Sequence, residues 1–156
     1  MGTNIPNIVV FASGSGTNAE NIINWSENRK TYRVKAVFCN RTDAYVLTRA
    51  ERHGIPSWTF SARDFKADTL IYKGRQTSLT ETLAGLSTDY IVLAGFLLKV
   101  PDYLLAAYPE RILNIHPALL PSYGGKGMYG DHVHRAVIAA GEKESGITIH
   151  LADNQY

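Results

Sequence analysis

Apolar residues along this chain fall into short continuous runs separated by amphipathic or glycine-rich stretches. Asn7 to Ala12 is a run rich in Val and Ile, as in a strand buried on both faces. Asn18 to about Glu27 sets Ala19, Ile22, Ile23 and Trp25 among polar residues, which predicts a helix. Arg33 to Cys39 reads as a second strand, and Ala44 to about His53 as a helix that Gly54 ends. Ser57 to Phe60 is a brief strand. Asp68 to Leu86 is weakly helical, with Gly74 against it near its start. Asp89 to Ala94 is apolar on both faces through Ile91-Val92-Leu93, a further strand, and Pro101 opens a short helix that ends near Tyr108-Pro109. Arg111 to His116 is the next strand, followed by a long loop from Pro117 to Gly130. Asp131 to Ala140 is a helix closed by Gly141. Gly146 to Ala152 alternates Ile147, Ile149 and Leu151 against Thr148 and His150, which predicts a strand with one wetter face.

Strand and helix alternate throughout. Right-handed crossovers and a mainly parallel sheet follow, so the fold class is α/β, with ligands expected outside the carboxyl ends of the strands. The 156 residues fit one domain, residues 1–156. A hydrophobic content of 45% and a charged content of 19% allow a real core and suit a globular protein. A net charge of +2 with scattered basic residues argues against nucleic acid as partner. No apolar run approaches the ~18 residues of a membrane span. The single cysteine, Cys39, sits in an apolar run and is expected in the core. With no signal peptide, it fits a reducing, cytoplasmic setting.

Two stretches carry the candidate chemistry. The first is Asn114-Ile115-His116-Pro117 at the exit of a strand. Positions i and i+2 of a strand share a face, so the carboxamide and the imidazole project together. Such a pair can hold a developing oxyanion and move a proton. The second is Gly14-Ser15-Gly16-Thr17-Asn18-Ala19, between a strand and a helix. A helix N-terminus offers unpaired N–H groups and partial positive charge to an anion, and glycine lets the backbone approach it. The turn fits the loose dinucleotide pattern G-x-G-x-x-A. The acid that pattern wants after the second strand is replaced by Cys39-Asn40-Arg41, which favours a monophosphate. A tight turn without a ligand is the plainer alternative. Gly124-Gly125-Lys126-Gly127 fails as a P-loop, because Leu120 stands where its first glycine should be.

Of the five histidines, His53 reads as a surface residue at a helix end and His150 as a structural or supporting one. His132 and His134 lie about 200° apart around a helix. No zinc-type spacing appears, so no metal is expected. No Ser-His-Asp or Cys-His pattern stands out, so positioning, oxyanion stabilisation and proton transfer are the chemistry to expect.

These landmarks resemble the folate-dependent phosphoribosylglycinamide formyltransferase family of purine biosynthesis. The resemblance rests on Ile8 to Asn18, Val37 to Ala44, Val92-Leu93-Ala94-Gly95-Phe96 and Leu113-Asn114-Ile115-His116-Pro117-Ala118-Leu119-Leu120-Pro121. It implies a Rossmann-like three-layer fold of the formyltransferase type, with 10-formyltetrahydrofolate as co-substrate. It further implies that Gly16, Thr17 and Asn18 hold a substrate 5′-phosphate. Leu97, Leu98, Lys99 and Val100 would meet the pterin, largely through backbone groups, and Asn114 and Asp153 would also serve the folate. Asn114 and His116 would be catalytic. The family's third catalytic residue, an aspartate, would follow Tyr156 directly, and the family's C-terminal part is missing from these 156 residues. Without a carboxylate to favour its cation, His116 would lose acid function at neutral pH. The partners implied are small molecules, with no nucleic acid and no membrane, acting on a cytoplasmic monomer or homodimer. Methionyl-tRNA formyltransferase, formyltetrahydrofolate hydrolase and a non-catalytic phosphate-binding module are the alternatives.

Overall fold

The computed structural model describes residues 4–116, 131–141 and 148–153. A six-stranded sheet runs through its centre in the order β3-β2-β1-β6-β7-β8. Its strands are β1 (Asn7–Ala12), β2 (Arg33–Cys39), β3 (Ser57–Thr59), β6 (Tyr90–Ala94), β7 (Ile112–His116) and β8 (Thr148–Leu151). All neighbours are parallel except β7 and β8, which pair antiparallel. The strands expected over Asn7 to Ala12 and Arg33 to Cys39 form with those bounds. A run that is apolar on both faces suits a strand covered from both sides.

Alternation within the central strands fills a separate core on each face. Ile8, Val10, Ala12, Val92 and Ala94 pack with Ala19 and Ile23 of α1 (Thr17–Arg29) and with Val46 and Ala50 of α2 (Tyr45–Arg52). On the other face, Val9, Phe11, Ile91, Leu93 and Ile112 pack with Phe65 of α3 (Ala62–Lys66), Leu79 and Leu83 of α4 (Leu79–Gly85) and Leu104 of α5 (Asp102–Ala107). The three layers follow from this. Phe11 is fully buried and has Phe38, Phe60, Phe65 and Phe96 around it at ring-centroid distances of 5.1–6.0 Å. Burying one such side chain contributes roughly 1.5–3 kcal/mol.

The weak helix expected over Asp68 to Leu86 does not form as one element. In its place are an antiparallel pair, β4 (Leu70–Tyr72) and β5 (Arg75–Thr77), and then α4. Lys73 and Gly74 between the strands both have positive φ, 50° and 75°, as a two-residue hairpin turn of type I′ requires. Ser78 then restarts the helix, its hydroxyl accepting from the Glu81 N–H at 3.0 Å. The Asp68 carboxylate closes the segment by accepting from both the backbone and the hydroxyl of Thr80, at 2.9 and 2.6 Å. The glycine noted as unfavourable to a helix is the turn residue.

The alternation expected in the last strand is present in β8, but its faces are reversed. Ile149 and Leu151 are exposed, at 61% and 45%, whereas Thr148 and His150 are half-buried. β8 is an edge strand whose polar positions lie opposite the polar positions of β7, so pairing with β7 sets which face turns inward. Helix α6 (Asp131–Ala139) matches the helix expected from Asp131. The expected loop from Pro117 to Gly130, with Gly124 to Gly127 inside it, lies outside the described residues, as does the start of the last strand at Gly146-Ile147.

Candidate active site

The parallel strands deliver three segments to one edge of the sheet. The chain passes from β1 out to β2 and β3, then returns to the other side of β1 at β6, so the order reverses between β1 and β6. Crevices at such reversals, outside the carboxyl ends of the strands, are where open α/β sheets bind ligands. The glycine-rich turn leaves β1 at this edge, Gly95 to Val100 leaves β6, and His116 ends β7. With neighbouring strands roughly 4.8 Å apart, the exits of β1 and β7 are separated by about 10 Å.

The register of β7 is unbroken on both sides. Asn114 pairs with Leu93 and His150, and His116 with Thr148. Asn114 and His116 therefore share a face, as their spacing predicted, on the side of the sheet carrying Ile112 and the second core. Asn114 is half-buried and His116 is 8% exposed. His150 lies beside Asn114 and fixes its amide. The His150 Nδ1 is 3.1 Å from the Leu151 carbonyl oxygen, which can only accept, so Nδ1 carries the ring proton. In the neutral ring, Nε2 is then bare and accepts from Asn114 Nδ2 at 3.0 Å. One amide hydrogen of Asn114 is committed in this way. Among the described residues, none accepts the second. His150 was expected to be a supporting residue, and its alternation with Thr148 was the only local signal.

The glycine-rich turn is shaped by α2 rather than by its own sequence alone. Gly16 caps α1 in the left-handed region, φ 79° and ψ 23°, and among the described residues no side chain caps the first turn. Its backbone lies against Val46, so that an added Cβ would sit 2.5 Å from Val46 Cγ2 and 2.8 Å from Val46 Cα. The Val46 N–H donates to the Gly14 carbonyl at 3.1 Å, and Arg49 Nε donates to the Ser15 carbonyl at 2.7 Å. Arg49 also pairs with Glu20 at 2.9 Å. That hydrogen bond holds the Glu20 carboxyl below its usual range and keeps it ionised, while the guanidinium offsets a negative charge in the turn where an anion would sit. Thr17 and Asn18 are exposed at the mouth of the turn. Sequence reading missed Val46 and Arg49, which lie about 30 residues from the turn.

Of the residues expected to read a folate, Leu97 and Lys99 are exposed, Leu98 is half-buried and Val100 is buried at 6%. They follow β6 directly and share the edge of the sheet with the turn and His116. Asp153 does not join them. β8 runs antiparallel and the Ala152 N–H donates to the Ile112 carbonyl, so the chain leaves β8 toward the start of β7. Asp153 is exposed there, at the opposite edge of the sheet. His53 is not a simple surface residue: its Nδ1 lies 3.1 Å from Glu27 Oε1 and ties α2 to α1. Cys39 is fully buried, as expected, and burial raises its thiol. A depression of about 470 Å³ between Leu47, Glu51, Ile55 and Pro56 opens at the start of β3, away from the chemistry.

Comparison with known proteins supplies the family. The formyl transferase family model matches residues 6–156. The chain belongs to that family. It is 38% identical over 151 residues to the chloroplastic phosphoribosylglycinamide formyltransferase of Arabidopsis thaliana, covering 96% of this chain and 50% of that protein. It is 35% identical to the phosphoribosylglycinamide formyltransferase of Escherichia coli over 150 residues, covering 96% of this chain and 66% of that one. The crystal structure of glycinamide ribonucleotide transformylase 1 from Symbiobacterium toebii superposes with a TM-score of 0.80 at 33% identity, covering 97% of this chain and 68% of that one. The chain thus spans about half to two-thirds of the length of these curated relatives. The Rossmann-like formyltransferase fold expected from the sequence is the fold of this family. No helix among the described residues is long and apolar enough to cross a membrane.

Proposed function

We propose that the protein transfers a formyl group from 10-formyltetrahydrofolate to the primary amine of 5′-phosphoribosylglycinamide. The observation that carries this reading is the pair Asn114 and His116 on one face of β7, at the same edge as the glycine-rich turn that opens α1, with the Asn114 amide oriented by His150. The backbone N–H groups of Gly16, Thr17 and Asn18 would receive the 5′-phosphate. The N-cap residue Gly16 has no side chain to occupy these donors, and none of the described side chains accepts from them. Leu97, Leu98, Lys99 and Val100 would hold the pterin.

The amine nitrogen attacks the formyl carbon, and the formyl oxygen takes up the electron pair of the broken π bond. Asn114 donates its second amide hydrogen to that oxygen. In its cationic form His116 stabilises the same charge and delivers a proton to the departing N10 as the tetrahedral centre collapses, and a carboxylate beside it is what would keep that form populated at neutral pH. The attacking amine loses one proton, so the products are the N-formylated substrate and tetrahydrofolate. The relatives' names and the matched family support this substrate pair.

A spectroscopic formyl-transfer assay with the ribonucleotide and 10-formyltetrahydrofolate tests the reading. Transfer should fall by about 10²–10³ in Asn114→Ala, the loss typical of one removed oxyanion donor, and at least as far in His116→Ala. Release of formate without the amine substrate would identify a hydrolase instead. Phosphate-ligand binding with no transfer would identify a binding module.

A further inference from the structure

The Ser13 hydroxyl is the point where the glycine-rich turn and the Leu97–Val100 segment meet. β1 lies between β2 and β6, and Ser13 is the first residue past its end. The β1–β6 ladder runs as far as Phe11 and Leu93, and the Ser13 N–H extends it by donating to the Gly95 carbonyl at 3.1 Å. Gly95 then turns with φ 69°, and the Leu97 N–H comes back onto Ser13 Oγ at 2.9 Å. The hydroxyl hydrogen goes to Asn40 Oδ1 at 2.6 Å, just beyond the end of β2. One side chain, 2% exposed, therefore binds the exits of three adjacent strands at the point where strand order reverses. A hydroxyl has one hydrogen to give and lone pairs to accept with, and here donor and acceptor both serve the site's frame.

We propose that Ser13 is a positioning residue that sets the spacing between the folate-reading segment and the phosphate turn. The inference rests on the formyl-transfer reading for the identity of the two ligands. Ser13 is followed directly by Gly14, so the phosphate turn is anchored to the atom that holds Leu97. Because the Leu97 N–H is committed to Ser13, a pterin must be read by the other backbone groups of Leu97 to Val100. Their placement then depends on this tie. Shifts of the order of 1 Å in such groups weaken binding and alignment.

The test uses Ser13→Ala, Asn40→Ala and the double variant of the intact protein. Steady-state transfer is measured with each substrate varied in turn, and hydrogen exchange is followed at the Leu97 amide. Ser13→Ala should raise the KM for 10-formyltetrahydrofolate about tenfold, the factor expected for one lost hydrogen bond, and leave kcat within about threefold. The KM for the ribonucleotide should rise less, and Leu97 should exchange faster. Asn40→Ala removes only the hydroxyl's acceptor and should raise the folate KM by about threefold, and the double variant should be no worse than Ser13→Ala, because both act through one hydroxyl. Should Ser13→Ala prove too unstable, the graded effect of Asn40→Ala still decides. A folate KM within twofold of wild type, an unchanged Leu97 exchange rate, or equal losses for both substrates alongside a lowered melting temperature would overturn the inference. If wild-type protein transfers formyl and the KM values do not move, the inference fails alone. If wild-type protein transfers none, the formyl-transfer reading fails and takes this inference with it.

Discussion

Replacing Gly16 with alanine isolates what α2 imposes on the glycine-rich turn. Two costs add. Gly16 has φ 79°, and an L side chain in the left-handed region costs about 1–2 kcal/mol. The new Cβ would also lie 2.5 Å from Val46 Cγ2, 2.6 Å from Val46 Cβ and 2.8 Å from Val46 Cα. Rotating Val46 relieves only the first of these, because Cβ and Cα move only with the backbone of α2. Overpacking of this kind costs about 1–3 kcal/mol. Together the loss should be about 2–5 kcal/mol, or roughly 10 °C in Tm at the middle of that range for a chain of this size. Two other glycines separate the terms. Gly54 has φ 67° but no atom within 4 Å of its added Cβ, so Gly54→Ala reports the backbone cost alone. Gly14 has neither a positive φ nor a neighbour within 4 Å, so Gly14→Ala should stay within about 0.5 kcal/mol of wild type. Urea unfolding can be followed by the fluorescence of Trp58, which stacks on Phe38 at 5.3 Å. The order expected is Gly16→Ala well below Gly54→Ala, and that below Gly14→Ala. A Gly16→Ala protein as stable as Gly54→Ala would refute the claim that Val46 shapes the turn. Val46→Ala in the Gly16→Ala background should restore only part of the loss, since two of the three close contacts remain.

Two further outcomes follow from the same coordinates. His150→Phe keeps a ring but removes the acceptor that orients Asn114, so kcat for formyl transfer should fall about tenfold, the worth of one hydrogen bond. A kcat within twofold of wild type would show that Asn114 is oriented by something else. Cys39 is fully buried and its thiol is raised by burial, so the folded chain binds that proton more tightly than the unfolded chain does. The stability linked to it is present at neutral pH and is lost as pH climbs past the unfolded thiol's value, about 8.5. Urea midpoints measured on both sides of that value should therefore fall less in Cys39→Ala than in wild type, and equal slopes would count against burial as the cause.

Much of the fold is set by local pattern. The Asn7 to Ala12 and Arg33 to Cys39 runs are apolar on both faces because both faces of those strands are covered, and covering of that kind leaves a continuous run in the chain. Asn114 and His116 share a face because a strand repeats every two residues, a fact of backbone geometry that needs no neighbour. The region from Asp68 to Leu86 was less legible. Its Leu, Tyr and Thr residues suit a short hairpin as well as a weak helix, and the choice was made by Leu70 reaching full burial in the core while Lys73 and Gly74 turned the chain.

What the sequence determined by itself, then, was the alternation of elements, the parallel sheet it implies, the glycine-rich turn and the paired side chains on β7. Those features are encoded within a few residues of each other. Tertiary structure decided which face of β8 turned inward, that His150 would meet Asn114 across 36 residues, that Arg49 and Val46 would grip the turn, and that Ser13 would reach Leu97 across 84. Each of these depends on where separate elements come to rest, and hydrogen bonds between distant residues leave no periodicity in the chain that could announce them.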